Sequence, residues 1–352
     1  MRFSTAKEDI LSELQLLQGI VEKRNTMPIL ANILINAAGE GLELTGTDLE
    51  VGMKTHFQAK VAAEGAITVS GKKLFEIVRS LAGDSEVVFE LKDEHMMEIT
   101  SGFSQFKILC LPKEDYPQVP EPKFEKNIIL PLGNVQEMIE RVYCAITQEQ
   151  RYYLNGALMI LKEGSIEFVS TDGHRLAYTQ MPVEKLQMPE EVKGIVSKKT
   201  LNELRKFDDA TLNFDLDENN LFFKVQNRTL ISRIIEGKFP NYEAVIPDDN
   251  PNIMILPREK FADAIRRVSL LSTERSKGIK LDIQKGKILL FSSNPELGEA
   301  RDEVEVEYTG DSLEIGFNSQ YILDFLTTVK SDEVKFEMKD ENSAILMRTA
   351  RE

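Results

Sequence analysis

In the run Thr171-Asp172-Gly173-His174-Arg175-Leu176-Ala177, an aspartate and a histidine stand two apart, the nearest this chain comes to an acid–base pair. Chemistry there would make the protein a hydrolase centred on Asp172 and His174, and it would need a nucleophile or a metal alongside. The sequence offers neither: it contains no Gly-rich phosphate loop, zinc-ligand spacing or nucleophile elbow. The three histidines are His56, His95 and His174, and the two cysteines, Cys110 and Cys144, lack ligand spacing. Both cysteines read as small buried hydrophobes of a reducing, cytoplasmic protein. The aspartate also recurs, as Asp48 in Thr47-Asp48-Leu49-Glu50 and as Asn294 in Ser293-Asn294-Pro295-Glu296. Recurrence marks a turn-builder, an Asx-type turn with His174 hydrogen-bonded to backbone. No catalytic residue, cofactor or metal is therefore expected. A second cluster, Arg151-Tyr152-Tyr153-Leu154-Asn155-Gly156, suits either a packed strand edge or a stacking and phosphate-contact site.

These clusters sit within a long internal repeat. Two Pro-rich linkers (Pro112, Pro117, Pro120 and Pro122; then Pro240, Pro247 and Pro251) each lead into a similar strand. Those strands are Asn127-Ile128-Ile129-Leu130 and Asn252-Ile253-Met254-Ile255, and Arg2, Asn127 and Asn252 are evenly spaced. Helix openers recur at Gly71-Lys72-Lys73-Leu74, Ser197-Lys198-Lys199-Thr200 and Asn318-Ser319-Gln320-Tyr321. Tight turns recur at Asp93-Glu94-His95, Asp217-Glu218-Asn219 and Asp340-Glu341-Asn342. The chain is thus three tandem domains, residues 1–122, 127–246 and 252–352. Ile10, Leu14, Leu17 and Val21 form one helical apolar stripe. Val87, Phe89 and Leu91 alternate, as do Leu212, Phe214 and Leu216, and Val334, Phe336 and Met338, each run entering a polar turn as one arm of a hairpin. Each domain is expected to lay two helices on antiparallel sheet, an α+β architecture. After Asp340 only twelve residues remain, so the closing strand of the third copy is expected to be missing.

The 352 residues are 42% hydrophobic and carry a formal charge of −15, which on average opposes nucleic-acid binding. No apolar tract is long enough to span a membrane, and Met1-Arg2-Phe3-Ser4 leads into a polar amphipathic stretch rather than a signal peptide. The basic residues nevertheless recur on equivalent helices: Lys23 and Arg24; Lys72, Lys73 and Arg79; Lys198, Lys199, Arg205 and Lys206; Arg266 and Arg267. Acidic residues gather in turns and linkers. Taken singly, each basic cluster is a solvated helical face, but equivalent helices in tandem domains line one surface, and their charges sum into a basic stripe. Such a stripe holds phosphates without reading sequence, and contacts that weak retain a protein on DNA if it encloses the duplex. A scaffold that binds protein only gives no reason for the recurrence.

The quoted runs, with Phe239-Pro240-Asn241-Tyr242, Thr26-Met27-Pro28-Ile29-Leu30, Leu44-Thr45-Gly46-Thr47-Asp48 and Gly316-Phe317-Asn318, resemble the bacterial sliding clamps, the beta subunits of DNA polymerase III. The likeness covers the whole chain in order. It implies a head-to-tail homodimer, a closed ring with helices lining the hole for double-stranded DNA and sheets outside. It also implies tethering of replicative DNA polymerase, clamp loader and other replication and repair proteins through short peptides. Arg24, Lys72, Lys73, Gln148, Tyr152 and Tyr153 would face DNA, with Lys198 and Lys199 added from charge alone. A client-peptide pocket would be walled by Leu154, Thr171, Gly173, His174, Arg175, Leu176, Pro240, Val245, Asn318, Tyr321 and Ser343. Unpaired sheet edges would close the dimer, with Phe106 and Ile108 meeting the third domain near Leu270, Leu271 and Arg301 to Val304. Two features depart from the family. Ala244 stands where members often carry a basic residue, and the apolar ending with a Met-Pro-Met-Arg run is absent, which is expected to weaken client binding.

Overall fold

The computed structural model describes residues 1–21, 27–83, 85–124, 128–147, 152–183, 186, 190–274 and 276–350. They form two compact units, Met1–Ile139 with Ile146–Ser170 and Thr179–Gly237, and Glu140–Ala145 with Thr171–Tyr178 and Lys238–Glu352. Six α-helices lie among the described residues: α1 (Lys7–Leu17), α2 (Gly71–Ser80), α3 (Leu132–Tyr143), α4 (Lys198–Leu204), α5 (Arg258–Ser269) and α6 (Ser319–Thr328). The strands pair antiparallel throughout, so the chain has the α+β architecture that its periodicities imply.

The repeat is visible at the level of single hydrogen bonds. Ser70, Ser197 and Asn318 each cap the second helix of a copy, accepting from the amides of Lys73, Thr200 and Gln320, which satisfies donors the first helical turn leaves orphaned. The carboxylates of Asp93, Asp217 and Asp340 each accept the amide two residues on, the Asx geometry that closes a hairpin. Cross-strand registers coincide as well. Leu34 lies opposite Thr45 and Thr68, Leu158 opposite Val169 and Ile195, and Lys280 opposite Phe291 and Gly316.

In α1, Ile10, Leu14 and Leu17 are buried as their spacing requires, and Val21, beyond the helix end, is buried too. Each copy also sets a strand from its start beside the hairpin from its second half. In the first copy these are Arg2–Ala6, Glu86–Asp93, Met96–Ser101 and Ser104–Leu111; in the second, Ile128–Pro131, Thr211–Leu216, Asn220–Val225 and Arg228–Arg233. The third pairs Asn252–Pro257, Glu333–Met338 and Leu346–Thr349. Of the two cysteines, Cys110 is buried, and burial pushes its thiol up to about 11. Cys144 is only half-buried, less than its reading as a core residue implied.

The first two copies share one sheet because Arg228–Arg233 pairs with Val51–Gln58, register Arg228 with Thr55 through Ser232 with Val51. An ion pair lies beneath that seam. The Arg228 guanidinium donates through Nε (3.0 Å) and Nη2 (2.6 Å) to Glu13, which also accepts from Thr55 Oγ1 at 2.6 Å. Glu13 is 4% exposed, so removing Arg228 strands a buried carboxylate. Arg228→Met is expected to destabilise the first unit by about 3–5 kcal/mol, and Glu13→Gln, which deletes the charge as well, by less. Urea denaturation followed on tyrosine fluorescence checks this, and equal midpoints for Arg228→Met and the unaltered chain would contradict it.

Candidate functional site

The turn that joins Ser165–Thr171 to Leu176–Pro182 organises the site. Asp172 accepts the amides of His174 (2.9 Å) and Arg175 (3.0 Å), while Thr171 Oγ1 accepts the Gly173 amide and donates to the Arg175 carbonyl. Gly173 takes φ +89°, a conformation that glycine adopts without strain. Asp48 and Thr47 repeat the same bonds in the first copy, where Leu49 holds φ +78°. Asn294 accepts the Glu296 amide in the third. Asp172 is therefore a turn-builder, engaged by backbone amides and by Arg175 rather than poised as a base. His174 is exposed, with its amide, not its ring, in the turn. Among the described residues, no group of three His, Cys, Asp or Glu could hold a metal.

Arg175 is the most constrained side chain of the turn. Nε reaches Asp172 at 3.1 Å, Nη1 reaches Asp324 at 2.6 Å, and Nη2 donates to the Cys144 carbonyl. Its guanidinium lies 4.3 Å from the centre of the Tyr321 ring, a cation–π contact. Burial works against the charge, but the bonds to Asp324 and Asp172 outweigh it and hold the pKa above its ordinary value. Gln320 Nε2 donates to the other oxygen of Asp324 at 2.8 Å. With its donors committed to protein groups, Arg175 presents a braced tyrosine face and little free charge. Tyr178, three residues after Arg175, stacks on Tyr242 at 6.0 Å, and Val245 is exposed. Pro240 is exposed, and Leu176 is partly buried. Asn318 caps α6, and Ser343 Oγ donates to Asp340 at 2.8 Å. These ten wall residues, from Thr171 to Ser343, belong to the second unit. Leu154 is buried in the first. Asp324 and the Cys144 carbonyl were missed by sequence reasoning, although Asp324 follows Tyr321 by three on α6 and so shares its face.

Of the residues expected to face DNA, Arg24 and Gln148 lie outside the described residues. Tyr152 opens the short turn Tyr152–Leu154, and Tyr153 is half-buried against Gly237, whose φ is +137°. Lys72 and Lys73 are exposed on the first turn of α2, 3.9 and 2.8 Å from Glu76, whose pKa is lowered chiefly by the Lys73 hydrogen bond. Lys198 and Lys199 differ. Lys198 Nζ donates to the Ile146 carbonyl at 2.8 Å, and Lys199 Nζ donates to the Ile20 carbonyl at 2.7 Å and to Asp48. Both act as struts within the first unit, a role that charge counting does not reveal.

Two sheet edges stand out. Ser104–Leu111, with Phe106 and Ile108 half-buried, pairs with Met96–Ser101, and only Cys110 and Leu111 reach Gly65–Ser70. Gly298–Glu305 ends its sheet. Leu270 is 77% exposed just beyond α5, and Leu271 is half-buried. Among the described residues no helix is long and apolar enough to cross a membrane.

Comparison with known proteins identifies the repeat. Family models for the DNA polymerase III beta subunit match residues 1–120 (N-terminal domain), 129–241 (central domain) and 243–352 (C-terminal domain). The beta sliding clamp of Pseudomonas aeruginosa is 35% identical over 355 residues, spanning 99% of this chain and 96% of that protein. A crystal structure of the DNA polymerase III subunit beta from the same organism superposes with TM-score 0.95 at 34% identity, covering 100% of this chain and 97% of that one. A sliding clamp from that organism bound to griselimycin also superposes at 0.95 and 34%, covering 100% and 96%. The chain belongs to the DNA polymerase III beta subunit family, the bacterial sliding clamps that serve replication as processivity factors and catalyse no reaction.

Proposed function

We propose that two copies of this chain close head to tail into a ring around duplex DNA, and that the Arg175–Tyr321 site receives short apolar peptides of replicative polymerase, clamp loader and other replication and repair proteins in the cytoplasm. The observation that carries the ring is the internal seam. Ser104–Leu111 holds in the first copy the place of Arg228–Arg233 in the second, and Gly298–Glu305 holds in the third that of Val51–Gln58 in the first. Transferring the seam's register sets Phe106 opposite Ala300, Lys107 opposite Glu299 and Ile108 opposite Gly298 of the second copy. The two edges are complementary in charge at Lys107 and Glu299. This register begins slightly before the Arg301 to Val304 stretch expected from sequence. By the same correspondence, Leu270 and Leu271 match Gly19 and Ile20 beyond α1, and Ile20 is fully buried at the internal seam.

For DNA contact the reading favours Lys73 and Tyr153, with Arg24, Lys72, Gln148 and Tyr152 from family resemblance; Lys72, as the counterpart of Lys199, also has a place at the ring interface. Lys198 and Lys199 are better accounted for as struts. For the pocket, the reading rests on Thr171, Gly173, His174, Arg175, Leu176, Pro240, Val245, Asn318, Tyr321 and Ser343, with Leu154 from family resemblance, and griselimycin binding by the Pseudomonas aeruginosa clamp supports a ligand-binding family surface. Loading on circular against linear DNA tests enclosure, since a protein-only scaffold would give no retention on either. Arg175→Ala removes the brace under Tyr321 and is expected to cost about 2 kcal/mol of client-peptide affinity, roughly thirtyfold. Arg175→Lys should recover little of it, because an ammonium cannot stack and bond bidentately. Anisotropy titration with a labelled polymerase C-terminal peptide checks this, and an unchanged Kd in Arg175→Ala would remove Arg175 from the site.

A further inference from the structure

The three superposable registers lead to a second site. In the first copy the triplet Leu34, Thr45 and Thr68 is roofed by the segment that follows the last strand. Tyr116 is buried there, its hydroxyl within reach of the Asn32 (3.3 Å) and Thr45 (3.2 Å) carbonyls, and it clusters with Ile29, Leu30 and Leu34. Thr68 Oγ1 donates to the Leu111 carbonyl at 3.1 Å. In the second copy Leu158, Val169 and Ile195 are all buried, and the Ile235 amide donates to the Ile195 carbonyl at 3.2 Å. There the chain goes on to Phe239-Pro240, the counterpart in the repeat of Tyr116-Pro117, and Phe239 is buried.

Among the described residues, the third copy presents the same register without a roof. Lys280 and Gly316 are exposed and Phe291 is half-buried. Together with Gly278, Ser293 and Asn318 they line an open groove of about 440 Å³. Gly278 and Gly316 replace the Asn32 and Thr68 of the first copy and leave the floor bare; a Cβ on Gly316 would meet nothing among the described residues within 4 Å. Phe291 forms one wall, backed by the Arg301 guanidinium at 5.3 Å from its ring centre. Lys280, where the first copy has Leu34, pairs with the exposed Glu314 at 2.9 Å and offers an aliphatic stem to a ring laid across it and a cation to that ring's face. Only Asn318 is shared with the Arg175–Tyr321 site.

We propose that this groove docks an extended segment of a partner protein in which an aromatic residue precedes proline, acidic on its N-terminal side, seated as Tyr116-Pro117 is seated in the first copy. The chain's own Lys113-Glu114-Asp115-Tyr116-Pro117 is the template: it fills the equivalent place, and its carboxylates can take the place of Glu314 on Lys280, a surface pair worth little to keep. Docking here does not depend on ring closure, because every groove residue lies in the second unit. It also leaves the Gly298–Glu305 edge free, since in the first copy Tyr116 covers the triplet while Val51–Gln58 pairs beside it.

The test is anisotropy of a labelled peptide of residues 113–122 titrated with the full chain. Saturable binding is expected, weakened at least tenfold by tyrosine-to-alanine in the peptide and severalfold by tyrosine-to-phenylalanine. Gly316→Ile, which installs the second copy's residue in open space, should weaken it at least tenfold with an unchanged melting temperature. Phe291→Ala is a second variant, which removes a wall rather than filling the groove. Arg175→Ala should leave this affinity as it is. Absence of saturable binding, or binding that survives both Gly316→Ile and Phe291→Ala, overturns the proposal. So does binding lost in Arg175→Ala but kept in the groove variants, which would place the peptide at the other site. Assembly of the chain beyond a dimer that Gly316→Ile abolishes would make a second copy the occupant and overturn the partner reading.

Discussion

The double variant Leu270→Lys, Leu271→Glu is expected to be monomeric in native mass spectrometry and sedimentation at micromolar concentration, where the unaltered chain is expected to be dimeric. The expectation rests on the internal seam, where the residues corresponding to this pair are packed. Gly19 leaves no room for a side chain beside the Glu203 carboxylate, and Ile20 is wholly buried. At the third copy's free end the same positions hold two leucines, one of them exposed by 77% in the single chain. An isolated exposed leucine needs no explanation, but one at the position of a buried seam residue, beside an unpaired strand edge, does. Burying each leucine is worth roughly 1.5–3 kcal/mol. A head-to-tail dimer closes through two identical interfaces, so each substitution counts twice and the gross loss is roughly 6–12 kcal/mol. Even the lower figure exceeds the ~5.5 kcal/mol that carries an equilibrium from one side to the other. Lys72 sharpens the test: it corresponds to Lys199, whose ammonium binds the Ile20 carbonyl and Asp48, which directs Lys72 at the Leu271 carbonyl and Asn294 of the second copy. Lys72→Glu should therefore weaken the dimer as well, by less than the leucine pair. A dimer of undiminished mass in the leucine variant would remove this interface.

What the sequence made legible is what repeats. A turn aspartate, a capping serine or asparagine and a hairpin aspartate are local devices, each fixed by a hydrogen bond to an amide two or three residues away, so their recurrence at Asp48, Asp172 and Asn294, or at Ser70, Ser197 and Asn318, reports recurring structure directly. The alternating strands are legible for the same reason, since one face of each is buried. The non-local pairings are not legible in that way. Nothing near Glu13 announces that its partner is Arg228, far along the chain, because a buried ion pair is set by the seam and not by spacing. Lys198 and Lys199 were assigned to DNA from charge, yet a seven-residue helix offers too few turns to tell an outward lysine from one that reaches a neighbouring carbonyl. Asp324 was hidden for the opposite reason: on α6 it looks like any solvated helical carboxylate until Arg175 is seen to reach it. In each case the missing information is which surface faces the side chain.

Loaded on a nicked circular duplex, the unaltered chain is expected to remain bound at least a hundred times longer than on the same duplex linearised with free ends. The physical ground is the mismatch between charge and task. A protein of formal charge −15 that touches phosphates through a few exposed lysines binds short duplexes weakly, with log K falling by about 0.9 per log unit of salt for each phosphate neutralised. If those contacts retained it, raising salt from about 50 to 200 mM would shorten its stay on circle and line alike. If enclosure retains it, salt acts on the short-duplex affinity and on loading while the stay on a circle is set by ring opening, because the contacts let the ring slide without letting it off. Lys73→Glu separates these cases. Lys73 is exposed on α2 and pairs only with Glu76 among the contacts described for it, and in the repeat it corresponds to Thr200 rather than to a strut. Its reversal should lower short-duplex affinity and loading severalfold and leave the dwell time of already loaded rings unchanged. The leucine variant should show no retention on either template. Equal dwell on linear and circular DNA by the unaltered chain would mean that contacts, not topology, hold it, and the ring reading would fail with it.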